Sequence, residues 1–160
     1  MPESRQPGAR PMLLFVCTGN VCRSPIAEYL VRDRLGDMAD WDIGSAGIGA
    51  VPGRPASPEA VEVMDEAGVD LRGHASRTVD ANLIANAAVV VVMTDAHLVQ
   101  LRSRYPGDEQ KMFLLKSFAP AGHGDIADPI GLSVERYREV RGEIEACLPG
   151  LFEFMEALEM

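Results

Sequence analysis

One eight-residue segment combines a nucleophile, a phosphate-binding cation and small residues: Cys17-Thr18-Gly19-Asn20-Val21-Cys22-Arg23-Ser24. In a tight loop, successive backbone N–H groups point inward and form a nest for an anion. The helix that we expect to begin at Pro25 adds the positive end of its dipole. The whole segment is therefore predicted to bind a phosphate group.

Within this segment, different side chains could perform different parts of a phosphoryl transfer. Arg23 carries a planar fork that can hold two phosphate oxygens. The nest and Arg23 both favour the thiolate form of Cys17, which is a nucleophile aimed at phosphorus. Ser24 can donate a hydrogen bond to that sulfur and help it leave. Gly19 and Asn20 are residue types that tolerate the positive φ such a loop needs.

Phosphoryl transfer also needs a proton donor for the departing atom. Asp128 is the candidate, because Pro129 stiffens the backbone beside it. Asp125 lies three residues earlier and competes for the same role. A simple turn-forming role for Asp128 before a proline is the alternative.

Four short apolar runs predict the strands that position these residues. They are Met12–Val16, Trp41–Ala46, Ala87–Met93 and Lys111–Leu115. Capping and proline signals predict helices from Ser24-Pro25 to about Leu35, from Ser57-Pro58 to about Ala67, after Asp80, from Asp95 to Tyr105 and from Ser133 onward. Pro149-Gly150 is expected to interrupt the last helix, with a continuation from Leu151 to Leu158.

Strands that alternate with helices predict a three-layer α/β sandwich, with a four-stranded parallel sheet and helices on both faces. Ligands of such sheets bind beyond the carboxyl ends of the strands. Residues 1–11 have no apolar periodicity and are interpreted as a flexible tail, and residues 12–160 as a single phosphatase domain.

Composition excludes several other classes of protein. The net charge of −9 argues against non-specific binding of nucleic acid or anionic membranes. The longest apolar run has only seven residues, Ala87–Met93, and a membrane span needs about 20. Three cysteines argue against a disulfide scaffold and for the reducing cytoplasm.

The segment resembles the phosphate-binding loop of the low-molecular-weight protein-tyrosine phosphatases. That family also places an Asp-Pro pair about 110 residues later, as here at Asp128-Pro129. Further similar pieces follow in order: Ser24-Pro25-x-Ala27-Glu28, Ser45-Ala46-Gly47, His74-x-x-Arg77 and Met93-Thr94-Asp95. The similarity covers roughly residues 12–148.

The resemblance implies a role for each matching residue. Cys17 would form a phosphocysteine, Arg23 would bind phosphate and Asp128 would act as general acid and then base. Cys22 looks like the thiol that pairs reversibly with oxidised Cys17, and a core-filling residue on the inner side of the loop is the alternative. The residues that would hold the loop in shape are Asn20, Ser24, Ser45 and His74. The resemblance implies no metal or other cofactor. The expected ligands are phosphorylated proteins or peptides and oxyanion inhibitors, for a monomer or weak homodimer.

Two features disagree about the substrate. Ile130-Gly131 follows the Asp-Pro pair without the aromatic residues that tyrosine phosphatases usually carry there, and this region is more similar to the family's bacterial protein-arginine phosphatases. Those enzymes carry Thr where this chain has Val21, whereas tyrosine phosphatases usually carry Ile. On Val21 we favour phosphotyrosine, with phosphoarginine as the alternative.

Two other functions share this loop. A thiol-dependent arsenate reductase would need a further cysteine pair on a mobile segment, and Cys147 has no mate. A non-catalytic phosphate-binding module would not need both Cys17 and Arg23. Structural interpretations apply elsewhere: Cys147 is assigned to the core, and His97 and His123 to the surface or loops.

Overall fold

The computed structural model describes residues 10–36 and 40–158. Its four strands are β1 (Met12–Cys17), β2 (Asp42–Gly47), β3 (Ala87–Val92) and β4 (Met112–Leu114), and its helices are α1 (Arg23–Leu35), α2 (Pro58–Glu66), α3 (Ala81–Asn86), α4 (Asp95–Arg104) and α5 (Val134–Leu158). Short 3₁₀ turns, Pro106–Lys111 and Leu115–Phe118, flank β4.

All strand pairs are parallel, in the order β2-β1-β3-β4. Alternate residues of β1 face opposite layers: Leu13 and Phe15 pack with α1, α2 and α5, whereas Leu14 and Val16 pack towards α3 and α4. The predicted three-layer α/β sandwich is confirmed. β1 lies inside the sheet, so the loop that follows it leaves from the middle of the carboxyl edge.

Helix α1 differs from its prediction at the start. It begins at Arg23, and Ser24 lies inside its first turn with its hydroxyl beside the sulfur of Cys17. Ser24 is therefore not the N-cap. Asp80, by contrast, caps α3 as predicted, because its carboxylate accepts from the backbone N–H of Leu83.

Helix α5 runs through Pro149 without interruption, so the predicted break is wrong. Buried apolar residues lie on both sides of Pro149, and their packing outweighs the lost backbone hydrogen bond; they are Cys147, Leu148, Leu151 and Met155. Gly150 is needed for a different reason: a Cβ there would lie 2.2 Å from the carbonyl oxygen of Phe118.

Most of the predicted tail, residues 1–9, lies outside the described residues. Its last two residues contact the sheet. Pro11 O accepts from Asp42 N at 2.8 Å, and Arg10 donates to Trp41 O at 3.1 Å.

Candidate active site

The predicted phosphate-binding loop connects the carboxyl end of β1 to the first turn of α1. Cys17 is the last residue of β1 and is buried, with 2% of its surface exposed. The backbone is held against the turn that follows β2, because Cys17 O and Thr18 O accept from Ile48 N and Gly49 N at 2.9 Å each.

A directed chain of hydrogen bonds leads from the sulfur of Cys17 into the protein. Asn20 Nδ2 donates to both Ser24 Oγ (2.8 Å) and Ser45 Oγ (2.9 Å). Ser45 Oγ in turn donates to Glu28 Oε1 at 2.5 Å. Because Ser24 Oγ accepts from Asn20, its proton is free to point at Cys17 Sγ, which lies 2.9 Å away.

The chain ends at an ion pair, because Glu28 Oε2 lies 2.7 Å from Arg32 on the next turn of α1. Glu28 is therefore a buried carboxylate that is both paired and hydrogen-bonded, as burial of a charge requires. These hydrogen bonds fix the rotamers of the four polar side chains beneath Cys17, which are Asn20, Ser24, Glu28 and Ser45.

Asn20 adopts the left-handed conformation that the loop needs. Its φ is 57°, and among the described residues no other non-glycine residue has a positive φ. Asn20 O lies 2.7 Å from His74 Nε2, and Asn20 Oδ1 accepts from the backbone N–H of Arg77 at 3.0 Å. The His-x-x-Arg segment thus clamps the strained residue of the loop.

Gly47, at the end of β2, allows the loop to approach the sheet closely. A Cβ at this position would lie 2.5 Å from Thr18 O and 3.0 Å from Asn20 N. These are backbone atoms that cannot rotate away. The Ser45-Ala46-Gly47 segment therefore contributes both a hydroxyl and a space that only glycine leaves open.

Arg23 spans from the loop to the segment that carries Asp128. Its Nη1 donates to Ile126 O at 2.8 Å, and its Nη2 lies 3.4 Å from Thr18 Oγ1 and 3.5 Å from Asp128 Oδ2. The residue is only 3% exposed, and its Nε has no partner among the described residues. A buried guanidinium in this arrangement offers a donor to an incoming anion.

The two candidate acids have different hydrogen-bond partners. Asp128 carries a half-exposed carboxylate whose Oδ1 accepts from Ile130 N at 3.1 Å. Asp125 Oδ1 instead accepts from the backbone N–H of Asp95 at 2.9 Å, at the start of α4. Only Asp128 lines the cavity that contains Cys17.

That cavity has a volume of about 170 Å³. It is bounded by the loop on one side and by the segment that carries Asp128 on the other. Its lining residues are Cys17, Thr18, Gly19, Val21, Cys22, Arg23, Asp128 and Ile130. No aromatic side chain is among them, as the sequence predicts.

The second cysteine of the loop is in a different environment. Cys22 is 3% exposed, and its Sγ lies 3.3 Å from Tyr137 Oη and 3.5 Å from Ser57 Oγ. Burial raises the pKa of the Cys22 thiol, against the opposing effect of these two hydroxyls. Cys22 is therefore a neutral thiol at neutral pH.

The prediction for His97 is wrong: it is buried, with 5% of its surface exposed, and its Nε2 lies 2.8 Å from Thr18 Oγ1. The helical start at Thr94, which caps α4, turns His97 inward to the loop. His123 is exposed, as predicted. Cys147 lies in the core, where burial raises its pKa to about 11.

Sequence reasoning missed several residues of this site. The motif that contains Glu28 was visible, but nothing in it shows that the carboxylate ends the hydrogen-bond chain. The carbonyl of Ile126 and the hydroxyl of Tyr137 give no signal in the sequence, because their roles depend on contacts across more than 100 residues.

Two general properties complete the description. Within residues 10–36 and 40–158, no group of three or more His, Cys, Asp or Glu side chains is arranged to hold a metal ion. In the same part of the chain, no helix has the length and apolar character to cross a membrane.

Comparison with known proteins places this geometry among phosphatases. The family model described as low molecular weight phosphotyrosine protein phosphatase matches residues 12–159. A protein-arginine-phosphatase of Geobacillus stearothermophilus is 38% identical over 144 residues, which are 90% of this chain and 95% of that protein.

Solved structures of phosphatases have the same fold as this chain. The arginine phosphatase from G. stearothermophilus superposes with a TM-score of 0.85 at 36% identity, covering 93% of this chain and 95% of that one. A low molecular weight protein tyrosine phosphatase from T. tengcongensis gives a TM-score of 0.84 at 37% identity, covering 89% and 98%.

Proposed function

The chain belongs to the low molecular weight phosphotyrosine protein phosphatase family, and we propose that it hydrolyses phosphotyrosine on proteins through a phosphocysteine intermediate. It is a cysteine-dependent protein phosphatase. The observation that carries the proposed mechanism is that Cys17, Arg23 and Asp128 line one cavity at the carboxyl edge of the sheet.

Substrate binding uses the loop and Arg23. The phosphate dianion enters the nest of backbone N–H groups at the N-terminus of α1. Arg23 Nε, which is buried without a protein partner, donates to one phosphate oxygen, and Nη2 donates to another. Holding Nη1 on Ile126 O fixes the plane of this fork before the substrate arrives.

In the first chemical step, the Cys17 thiolate attacks phosphorus. The P–S bond forms while the bond from phosphorus to the tyrosine oxygen breaks. Asp128, as the carboxylic acid, gives its proton to the departing oxygen. The products of this step are the tyrosine side chain, the phosphocysteine and the Asp128 carboxylate.

In the second step, the Asp128 carboxylate takes a proton from water as the water oxygen attacks phosphorus. The P–S bond breaks, and inorganic phosphate and the Cys17 thiolate are released. The proton that Ser24 points at Cys17 Sγ stabilises the departing thiolate. Asn20, Ser45 and His74 act indirectly by holding the loop's shape.

Cys22 protects the nucleophile from over-oxidation. A peroxide converts the Cys17 thiolate into a sulfenic acid, and the Cys22 thiol then displaces water to form a disulfide. A cellular dithiol reduces the disulfide and restores both thiols. The buried position of Cys22 in the loop that follows Cys17 supports this role.

Phosphotyrosine is favoured by Val21, whose apolar side chain lines the cavity and can contact a phenyl ring. A second substrate, phosphoarginine, is favoured by the composition of the cavity. Ile130 lines the cavity without an aromatic ring. A protein named protein-arginine-phosphatase is 38% identical in sequence, and the structure of an arginine phosphatase superposes with a TM-score of 0.85.

The proposal extends to partners and location. The enzyme acts in the cytoplasm, as a monomer or weak homodimer, on phosphorylated proteins or peptides, and is inhibited by phosphate and other oxyanions. Its three cysteines are free, which suits a reducing compartment. Its net charge of −9 disfavours nucleic acid and anionic membranes as partners.

The test is turnover of a phosphotyrosine peptide by Cys17→Ser, with Cys147→Ser as the matched control. Cys17→Ser should abolish phosphate release from the peptide while retaining the binding of inorganic phosphate, which calorimetry would measure. Cys147→Ser should behave as wild type, because a serine hydroxyl can donate to Glu143 O as the thiol does. Normal turnover by Cys17→Ser would refute the mechanism.

A further inference from the structure

His97 and Arg23 share one hydrogen-bond partner, the hydroxyl of Thr18. His97 Nε2 lies 2.8 Å from Thr18 Oγ1, and Arg23 Nη2 lies 3.4 Å from the same oxygen. His97 comes from α4 and Arg23 from α1, on opposite sides of the sheet. The Thr18 hydroxyl is therefore the point at which a second helix contacts the catalytic loop.

The tautomer of His97 follows from the burial of its ring. Nδ1 is buried and has no partner among the described residues. A proton on Nδ1 would be a buried unsatisfied donor, which native proteins rarely contain, whereas a bare ring nitrogen is tolerated more easily. The proton therefore lies on Nε2, and His97 donates to Thr18 Oγ1.

This assignment determines the direction of the Thr18 hydroxyl. Its oxygen accepts from both His97 Nε2 and Arg23 Nη2, so both acceptor positions are in use. Its own proton must point elsewhere. Thr18 lines the 170 Å³ cavity, so the open direction is the phosphate site.

The same turn of α4 also contacts the segment that carries the acid. Asp95 N donates to Asp125 Oδ1 at 2.9 Å, and Met93 O, just before α4, accepts from Ile126 N at 2.9 Å. The start of α4 is thus bonded to both sides of the cavity.

Resting on the phosphatase function proposed above, we propose that His97 is a positioning residue. It holds Thr18 Oγ1 as an acceptor for Arg23 and turns the Thr18 hydroxyl proton towards the transferring phosphate. Loss of the Nε2 donor frees the hydroxyl to rotate, and Arg23 loses one of the contacts that fix its fork.

Three substitutions separate this role from simple packing. Gln places an amide N–H near the position of Nε2, Asn places it near Nδ1, out of reach of Thr18, and Leu fills the space without a donor. His97→Gln should keep kcat for an aryl phosphate within about threefold of wild type, because the donor is retained. His97→Asn and His97→Leu should lower kcat about tenfold and raise the Ki of vanadate, with a smaller change in KM.

A packing role predicts the opposite order, because Leu is the better filler of a buried site. Leu equal to or better than Gln would therefore overturn the proposal. In a Thr18→Val background, His97→Leu should cost nothing further, since the shared hydroxyl is already absent. If His97→Leu lowered kcat in the Thr18→Val background by the same factor as in the wild type, that result would also contradict the proposal.

Imidazole nitrogen NMR of the wild-type protein keeps the test independent of the folding of any variant. The spectrum should show a protonated Nε2 and a bare Nδ1 for His97, and a proton on Nδ1 would overturn the assignment. The NMR result does not depend on turnover. If Cys17→Ser instead retained full turnover, the proposed function itself would fail while the His97 tautomer could still be as assigned.

Discussion

Arg23 Nη1 donates to the carbonyl oxygen of Ile126 at 2.8 Å, across 103 residues of sequence. Ile126 is fully buried and lies two residues before Asp128. Arg23, the proposed phosphate-binding residue, is therefore bonded directly to the backbone of the segment that carries Asp128, the proposed acid. This contact sets the distance between the two halves of the cavity before any substrate is present.

Arg23→Lys should lower kcat by about 10²–10³-fold, because an ammonium group cannot bond Ile126 O and grip two phosphate oxygens together. Steady-state kinetics with an aryl phosphate would measure the loss. The free energy of unfolding should also fall, since Ile126 O then lacks its partner. A variant with near-normal kcat would show that positive charge alone is sufficient.

Asp128→Asn should have an effect that depends on the leaving group. For an alkyl-like or phenolic oxygen of high pKa, kcat should fall by about 10²–10⁴-fold, because departure needs a proton. For a nitrophenol, the fall should be much smaller. A series of aryl phosphates gives the comparison. Asp125→Asn is the control. If kcat depended on the leaving group in Asp125→Asn and not in Asp128→Asn, Asp125 would be the general acid instead.

Val21→Thr should move substrate preference towards phosphoarginine. The added hydroxyl lies in the cavity, where it can bond a guanidinium or orient water, and one such bond is equivalent to about tenfold in relative kcat/KM. Matched phosphotyrosine and phosphoarginine peptides would measure the ratio. Val21→Ile is the control that keeps an apolar surface, and an identical ratio in all three proteins would exclude position 21 as the determinant.

Gly47→Ala should destabilise the protein by about 1–3 kcal/mol and reduce turnover, because the new Cβ would press on the backbone of Thr18 and Asn20. Denaturant unfolding and kinetics would report the two effects. Gly49→Ala is the matched control: its Cβ would meet nothing within 4 Å. If both variants are equally stable and active, the loop does not depend on that close approach.

Acid should destabilise the protein through His97. Burial, and then the charge of Arg23, lower the pKa of His97 from 6.5 to about 4, against the opposing carboxylates of Asp128 and Asp125. Between these values the unfolded chain binds the proton and the native state does not, so stability falls as pH falls from 6.5 towards 4.

Over this whole pH range, the lowered pKa of His97 reduces the free energy of unfolding by about 3 kcal/mol. Denaturant unfolding of wild type and His97→Gln at several pH values isolates it, because the carboxylates titrate in both proteins. The variant should lose less stability than wild type across this window. Parallel curves would show that His97 does not titrate abnormally.

Local sequence was sufficient for the elements of the fold. The apolar runs of β1 and β3 and the caps at Asp80 and before Pro58 predicted the order of strands and helices, and their alternation predicted a parallel sheet. These signals are local, because periodicity and capping depend on residues only a few positions apart. Pro149 shows the limit, since packing of its helix outweighed the local preference for a break.

The loop itself was also determined by the sequence, since its residue types lie within eight consecutive positions and their chemistry depends on that spacing. The contacts between distant segments of the chain could not be predicted from the sequence. The bond from Arg23 to Ile126 O, the clamp of His74 on Asn20 O and the burial of His97 against Thr18 join segments 54 to 103 residues apart. Backbone carbonyls have no residue-specific signature, and whether a histidine is buried is decided by the helix that carries it. Only the tertiary structure could therefore decide which groups hold the loop in place.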